Sequence, residues 1–508
     1  MSDAAMVEKP DAPIGIALGE LVKLLARVEA RVKGDASVRV SSLCQDSRRV
    51  RRGELFAARP GISENGATFV RDAVQRGAAA ILVEKGALLP ELGVPVVEVH
   101  DPRLALALAA EALQGFPSAS VRVVGITGTN GKTTTSWLAQ QAINGAGGRA
   151  ARLGTLGFSF QAECVDSSLT TPEADEISRY VARVRERGGS ELVMEVSSHA
   201  LAQARVDAIR FAVAAFTNLT QDHLDYHGSM DEYARAKRRL FEELEPSASA
   251  VNVDDPLGRE IARFAHRRLL RVSRVAEADV FPRRVEHDAR GIRGEIVLPS
   301  GAVELQSRLV GEHNLDNLLM ALAISEALGF AAARAAIALG QAAAVPGRLE
   351  RCDVPRDDVI VLVDYAHTPD ALRRALAAVR ALGRGRVICV FGCGGDRDPE
   401  KRAIMGEVVA AGADRAMVTN DNPRSEAPEA IARAIELGLR AGAASHEIEL
   451  DRSLAIERAV LEASPGDVVL IAGKGHESYQ IIGAERRRFD DRFEARRALA
   501  LRREKLEA

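Results

Sequence analysis

Aromatic side chains are scarce in this chain, at 4 % of 508 residues, and Trp137 is the single tryptophan. That scarcity says nothing about function, but other shortages do. Five cysteines, Cys44, Cys164, Cys352, Cys389 and Cys393, are too few, too scattered and odd in number for a disulfide or zinc framework, and they fit a reducing compartment. No run of about eighteen apolar residues is present, so no bilayer-spanning segment is expected. The opening MSDAAMVEKPDAPIGIALGE has acids and prolines where a secretory signal has a basic start and an apolar centre, so the expected location is cytoplasmic. Basic residues are not in excess: 68 Lys and Arg face 71 Asp and Glu, spread throughout, for a net charge of -3. This excludes a basic stripe for nucleic acid and a polybasic tail for anionic lipid. Any anionic substrate must be captured locally.

What is present has the grammar of an α/β protein. The length implies roughly three domains, each large enough to bury a core. The breaks fall near Pro117 and at Val345-Pro346-Gly347, dividing the chain into 1–117, 118–346 and 347–508. Apolar strands, polar turns and helices alternate, as in residues 79–83, 359–364 and 386–391, which predicts parallel, doubly wound sheets with ligands at the carboxyl ends of strands. The expected fold class is α/β with a central P-loop domain, a Rossmann-like C-terminal domain and a smaller N-terminal α/β domain. There is no internal repeat and no low-complexity linker.

The stretch VVGITGTNGKTTT at 123–135 is the strongest local signal. An apolar strand runs into a turn in which the backbone of Gly125, Thr127, Gly128, Thr129, Asn130 and Gly131 can curl around a polyphosphate. Lys132 would reach the terminal phosphates and Thr133 would offer its hydroxyl to Mg2+. Thr134 continues into a helix whose N-terminus favours an anion. Further on, Glu195 ends an apolar strand, where a Mg2+ ligand is expected beside a phosphate loop. The loop TNLTQDHLDYHG at 217–228 then crowds acids and two imidazoles, and a helix follows over 230–241. His223 alone is weak evidence for a ligand. Lys237 alone reads as a solvated helix lysine, because an ammonium would repel a metal cation.

Together GTNGKT at 128–133, the Glu195 strand, Asp222-His223 and YARAK ending at Lys237 resemble the Mur ligases. The resemblance extends through GEHNLDN at 311–317, PGRLE at 346–350, DYAHTP at 364–369 and GKGHE at 473–477. It implies that ATP phosphorylates a substrate carboxylate and that an amine displaces phosphate from the acyl phosphate. The phosphate loop would therefore serve to make a leaving group. The resemblance implies two Mg2+ ions, one held by Thr133 and Glu195, the other by His223 and Lys237. The latter would be carbamylated to N6-carboxylysine, which exchanges an ammonium for an anionic ligand. Lys132, Lys237, His223 and Glu195 would be the catalytic residues. Asn314, Asn317, Arg348, Asp364 and His367 would join the phosphate loop in holding ATP.

Substrate residues carry over in the same way. Asp46-Ser47-Arg48, GELF at 53–56 and GISENG at 61–66 resemble the uridine-diphosphate site, with Ser47 foremost. Thr170, Thr171, Ser197, Gln203 and Arg205 match positions that hold the muramoyl-dipeptide end. DNPR at 421–424 looks like a diaminopimelate-recognition motif. Asp421, Asn422, Pro423 and Arg424, with Arg397, Gly473 and Glu477, would then hold meso-diaminopimelate for ligation to UDP-N-acetylmuramoyl-L-alanyl-D-glutamate. Arginine forks suit its carboxylates, and acids its ammonium. The partners would be these small molecules, acting on a monomer. Two rivals stand. A folylpolyglutamate-synthetase-like ligase shares the central plan but has no need of the N-terminal segment or of DNPR. A P-loop switch or motor would not need the acid-histidine-lysine cluster.

Overall fold

The computed structural model describes residues 15–60, 65–167, 169–265, 267–288, 291–342, 344–383 and 385–507. Residues 1–14 and residues 61–64 of the expected uridine loop lie outside these. Short apolar runs bounded by turns form three principal sheets. The first has five strands in the order Arg31–Lys33, Val96–Val99, Ala80–Glu84, Leu55–Ala58 and Leu43–Cys44, with only Arg31–Lys33 antiparallel to its neighbour. The alanine-rich helix Pro102–Leu113, N-capped by Asp101, closes the core over this sheet.

The second sheet has eight strands. Six of them, from Ala150–Gly154 through Glu191–Glu195, Arg122–Thr127, Phe211–Phe216 and Ala248–Asn252 to Arg268–Val272, run parallel. Their near-continuous apolar sequences reflect burial on both faces, one against the helices Lys132–Gly145 and Glu312–Ala327, the other around Val181, Leu201 and Leu240. The third sheet has six strands in the order Glu350–Arg351, Ile360–Asp364, Val468–Ala472, Val387–Phe391, Arg415–Val418 and Ser445–Ile448, the last five parallel.

One part of the sequence reading is incomplete. Strands Phe281–Asp288, Gly291–Leu298 and Gly301–Ser307 form a separate antiparallel sheet, which the expectation of parallel sheets alone did not include. Its alternating charged and aliphatic residues bury Ile292, Ile296, Leu298 and Leu305 on one face and leave the other wet, the pattern of an antiparallel sheet. A hairpin, Tyr479–Ile482 with Glu485–Arg488, also lies beside the third sheet.

Candidate active site

The carboxyl ends of the central strands meet the N-terminus of the helix Lys132–Gly145. Gly128 has φ 149°, and a Cβ there would fall 1.9 Å from Thr217 Oγ1, so only glycine fits this close approach. The loop is braced from outside: the Asn130 backbone N-H donates to Asn218 Oδ1 at 3.0 Å, and Thr129 Oγ1 lies 3.1 Å from the Tyr233 hydroxyl. Lys132 Nζ donates to the carbonyls of Gly128 and Thr129 at 2.9 and 3.0 Å, which holds its amine across the loop.

Glu195 is fully buried at the end of its strand. Its carboxylate accepts from the hydroxyls of Thr133 at 2.9 Å and Thr155 at 3.0 Å, and from the Thr155 backbone N-H at 2.9 Å. Thr155 was not anticipated from the sequence; the signal for it is the preceding Gly154, where a Cβ would lie 2.2 Å from Glu195 Oε1. A hydroxyl beside a carboxylate is a hard oxygen pair that suits Mg2+.

The second cluster corrects one reading. Lys237 is 1 % exposed, so it is not a solvated helix lysine. Burial, and then the Lys132 charge, hold its amine well below the ordinary lysine range, against the pull of Asp222. This favours the unprotonated amine, the form that reacts with CO2, and its Nζ lies 4.4 Å from the Tyr233 ring centroid. His223, in a left-handed conformation with φ 54°, stacks edge-on to His199 with ring centroids 4.8 Å apart. Desolvation depresses both imidazoles to about 4, so both are neutral at neutral pH, the ligating form. Among the described residues no group of three or more His, Cys, Asp or Glu could hold a metal ion. The candidate sites instead need the Thr133 hydroxyl and an oxygen-bearing form of Lys237. His199, which packs against His223, and Tyr226 and His227, which pack against His199, were not assigned from the sequence.

A cleft between the central and third sheets is lined by Asn130, Gly131, Thr134, Asn314, Asn317, Arg348 and Asp364, residues that the sequence analysis assigns to ATP. It also includes Asn252, Arg274, His313 and Arg374, which the reading missed. His367 is not among its lining residues: its Nδ1 lies 2.8 Å from the Tyr365 carbonyl, and its own carbonyl accepts from Lys401. Two contacts cross the cleft. Arg348 Nη2 donates to Thr133 Oγ1 at 3.2 Å, and Asn130 Nδ2 donates to Asp370 Oδ2 at 3.0 Å.

The substrate residues of the central unit gather beside Glu195. Thr171 Oγ1 donates to the Glu195 carbonyl at 2.9 Å and accepts from the Ser197 backbone N-H at 2.9 Å, while Thr170 Oγ1 lies 3.1 Å from Thr155 Oγ1. Arg205 grips Gln203 Oε1, the Thr171 carbonyl and Glu173. Glu173 also pairs with Arg59 of the first sheet's unit, a link that the sequence did not announce. Ser47 is buried in that first unit, at the start of a single turn capped by Asp46.

In the third unit, Asn422 Nδ2 donates to Glu477 Oε2 at 2.9 Å. Lys474, buried and missed by the sequence reading, donates to both of them at 3.1 and 3.0 Å. Asp421 Oδ2 stands where a Cβ on Gly473 would come within 2.4 Å. Arg424, with φ 53°, donates Nη1 to the Gly395 carbonyl at 2.6 Å. Gly394 lies between Arg424 and the exposed Arg397, bringing both arginines to one turn, with Pro423 beside Gly395.

A phosphate loop, a carboxylate-hydroxyl pair and a buried lysine at the mouth of three α/β units define a class of ATP-using ligase. The chain belongs to the Mur ligase family: residues 126–325 match the Mur ligase middle domain, 347–475 the Mur ligase glutamate ligase domain, and 39–114 the Mur ligase family catalytic domain. It is 44 % identical over 484 residues to the UDP-N-acetylmuramoyl-L-alanyl-D-glutamate--2,6-diaminopimelate ligase of Gloeobacter violaceus, covering 95 % of this chain and 98 % of that protein. Identity to the ligase of the same name from Synechocystis sp. is 44 % over 474 residues, covering 91 % and 93 %. A solved structure of a ligase of that name superposes with TM-score 0.69 at 30 % identity, over 96 % of this chain and all of that one. A Mycobacterium tuberculosis folylpolyglutamate synthase complexed with ADP shares the fold at 20 % identity and TM-score 0.61, but covers only 73 % of this chain. No helix among the described residues is long and apolar enough to cross a membrane.

Proposed function

We propose that the protein joins meso-2,6-diaminopimelate to UDP-N-acetylmuramoyl-L-alanyl-D-glutamate at the expense of ATP, in the cytoplasmic synthesis of peptidoglycan precursors. The observation that carries this reading is Lys237, buried beside the phosphate loop with its amine held well below the ordinary lysine range, in a chain 44 % identical to a ligase named for that specificity. Units 1–117, 118–346 and 347–508 divide the work among the uridine nucleotide, ATP and the amino acid, within a monomer.

In this reading the loop amides from Gly125 to Gly131 and the helix N-terminus hold the triphosphate. Lys132 and Arg348 face its terminal phosphate, and Asn314, Asn317 and Asp364 bound the nucleotide cleft. Thr170, Thr171, Ser197, Gln203 and Arg205 orient the dipeptide so that its side-chain carboxylate faces the γ-phosphorus. A carboxylate oxygen-phosphorus bond forms as the bond to ADP breaks. The free amine of diaminopimelate, held by Arg397, Asp421, Asn422, Arg424, Gly473 and Glu477, then attacks the acyl carbon. The amide bond forms, orthophosphate departs and the amine loses its proton. Thr133 with Glu195, and His223 with carbamylated Lys237, are the donor sets for two Mg2+ ions. When bound, these ions supply the positive charge that lets two anions approach. CO2 adds to the unprotonated Lys237 amine, and the carbamate provides the oxygens that the amine lacks.

The experiment is an ADP-release assay with neither, either or both co-substrates. Turnover only with both, and with diaminopimelate far above lysine, is the expected result. Steady ADP release with neither would instead indicate a switch or motor.

A further inference from the structure

Arg152 stands apart from every assignment above. It lies on the strand Ala150–Gly154, in register with Val193, whose side chain packs in the core beneath the helix Lys132–Gly145. It is 2 % exposed, and its Nε and Nη1 have no hydrogen-bond partner among the described residues. Its guanidinium lies 5.0 Å from the Trp137 ring centroid. A desolvated cation-π contact contributes about 2 kcal/mol, less than the several kcal/mol that a buried, unpaired charge costs. The attracting carboxylate nearby, Glu195, is already held by Thr133 and Thr155.

Two more buried nitrogens lack partners: Arg348 Nε, a donor, and His476 Nδ1, whose role depends on the ring's tautomer. They form a stack in which the Tyr365 ring lies 4.7 Å from the Arg348 guanidinium and 5.1 Å from the His476 ring. Burial first, and then the positive charges of Arg348, Arg492 and Arg152, push His476 down to about 3, so its ring is neutral. Arg348, which donates to Thr133 Oγ1, and Arg152, two residues along its strand from the Gly154 over which Glu195 packs, thus bring guanidiniums from two units to a carboxylate already held by the Thr133 and Thr155 hydroxyls.

We propose that Arg152, with Arg348 reaching to Thr133 from the third unit, forms an oxyanion subsite that a ligand completes. The oxyanion is either a carboxylate of the nucleotide-linked dipeptide or the phosphate cleaved from ATP. The proposal rests on the ligase reading for the identity of these ligands. A guanidinium suits both, since its fork matches the spacing of carboxylate and phosphate oxygens. The buried charge is costly in the free protein and is neutralised when the ligand arrives.

The lone tryptophan makes this testable on the unaltered enzyme, because Trp137 lies directly against Arg152. In the absence of ATP, its emission is followed during separate titrations with UDP-N-acetylmuramoyl-L-alanyl-D-glutamate and with inorganic phosphate. A saturable change with the first assigns the subsite to a carboxylate, and with the second to the phosphoryl group. Arg152→Met should abolish that change and weaken the same ligand at least tenfold, while Arg152→Lys retains part of the affinity. Arg152→Met should also raise Tm, since it removes an unpaired buried charge. The proposal falls if neither ligand changes the emission of the parent, or if Arg152→Met binds both ligands as the parent does. A lowered Tm with unchanged binding would make Arg152 a packing partner of Trp137 and nothing more. Because emission needs no turnover, ADP release by the same parent preparation tests the ligase reading separately.

Discussion

Lys237 shows how one side chain's surroundings set its chemistry: on a helix surface it would be an ammonium, but burial beside Lys132 favours the unprotonated amine. Lys237→Met should leave the fold as stable or more so and lower kcat at least about a hundredfold, close to 2.7 kcal/mol of barrier. Thermal unfolding, ADP release and intact-protein mass at ambient and depleted CO2 check this, with a carbamate expected only in the parent. Arg424 has one N-H committed to the Gly395 carbonyl. The rest of its fork can meet a carboxylate, and a hydrogen bond to a charged group contributes about 1.5–3 kcal/mol. Arg424→Ala should therefore raise KM for diaminopimelate about ten- to hundredfold, leave KM for ATP nearly unchanged and narrow the preference over lysine. Arg424→Lys should restore only part, which steady-state kinetics with both amino acids will measure. The histidines set an acid limit. His199, His223 and His227 are held near 4, below an ordinary 6.5, chiefly by desolvation. As pH falls from 6.5 toward 4 the unfolded chain binds protons that the folded chain refuses, so stability is lost across that window and is fully present above it. Tm measured from pH 7.5 to 4.5 should fall in this way, and His199→Gln should flatten the slope.

At the scale of elements, one ion pair fastens the amino-acid end of the third sheet. Arg452 and Asp491 are both 0 % exposed and form a fork with two 2.7 Å bonds, joining the helix Arg452–Leu461 to the helix Asp491–Glu507. Arg452 also donates to the carbonyls of Asn420 and Ala472, immediately before the turns that carry Asn422 and Lys474. Arg452→Ala leaves Asp491 buried and unpaired and should cost about 3–5 kcal/mol in urea unfolding, with a raised KM for diaminopimelate in whatever remains folded. Nothing in the sequence marks this pair, because its members are 39 residues apart and each reads as an ordinary polar helix residue. What was legible has local grammar: the phosphate loop, the strand ending at Glu195 and the strand-turn-helix repeats are each written in consecutive residues. The antiparallel sheet spanning 281–307 has period-two alternation, but an expectation of uniform strand-helix alternation hid it. Thr155, Lys474 and Arg152 escaped notice because burial, which makes them consequential, is set by strands distant in sequence. His367 shows the converse, a motif residue whose ring turns to its own backbone.

At the scale of the whole molecule, the proposed ligands come from three units: the third meets the central one through few hydrogen bonds, Arg348 to Thr133 and Asn130 to Asp370, while the first is fastened to it by Arg59 with Glu173, Gln45 with Asp175, Ser178 with Glu111 and Arg185 with the Gln114 and Gly115 carbonyls. So few ties let the third unit move as a rigid body against the other two, and the reaction needs them together. The radius of gyration from small-angle scattering should therefore shrink when a non-hydrolysable ATP analogue and the nucleotide substrate are added together. The rims of the sheets carry a separate consequence. Arg268 and Arg271 are exposed on the last strand of the eight-stranded sheet, Arg31 and Lys33 on the first strand of the five-stranded one, and Glu447 on the last strand of the six-stranded one. At the opposite rims, Glu163 pairs with Arg183 and Arg187, while Leu43–Cys44 and Glu350–Arg351 are only two residues long. Unpaired backbone at such rims would accept a strand from another molecule, and charge or shortness denies it a partner. A protein built on wide parallel sheets, whose long-range pairing forms slowly, thereby keeps its half-folded copies from zipping together while synthesis and folding are still under way.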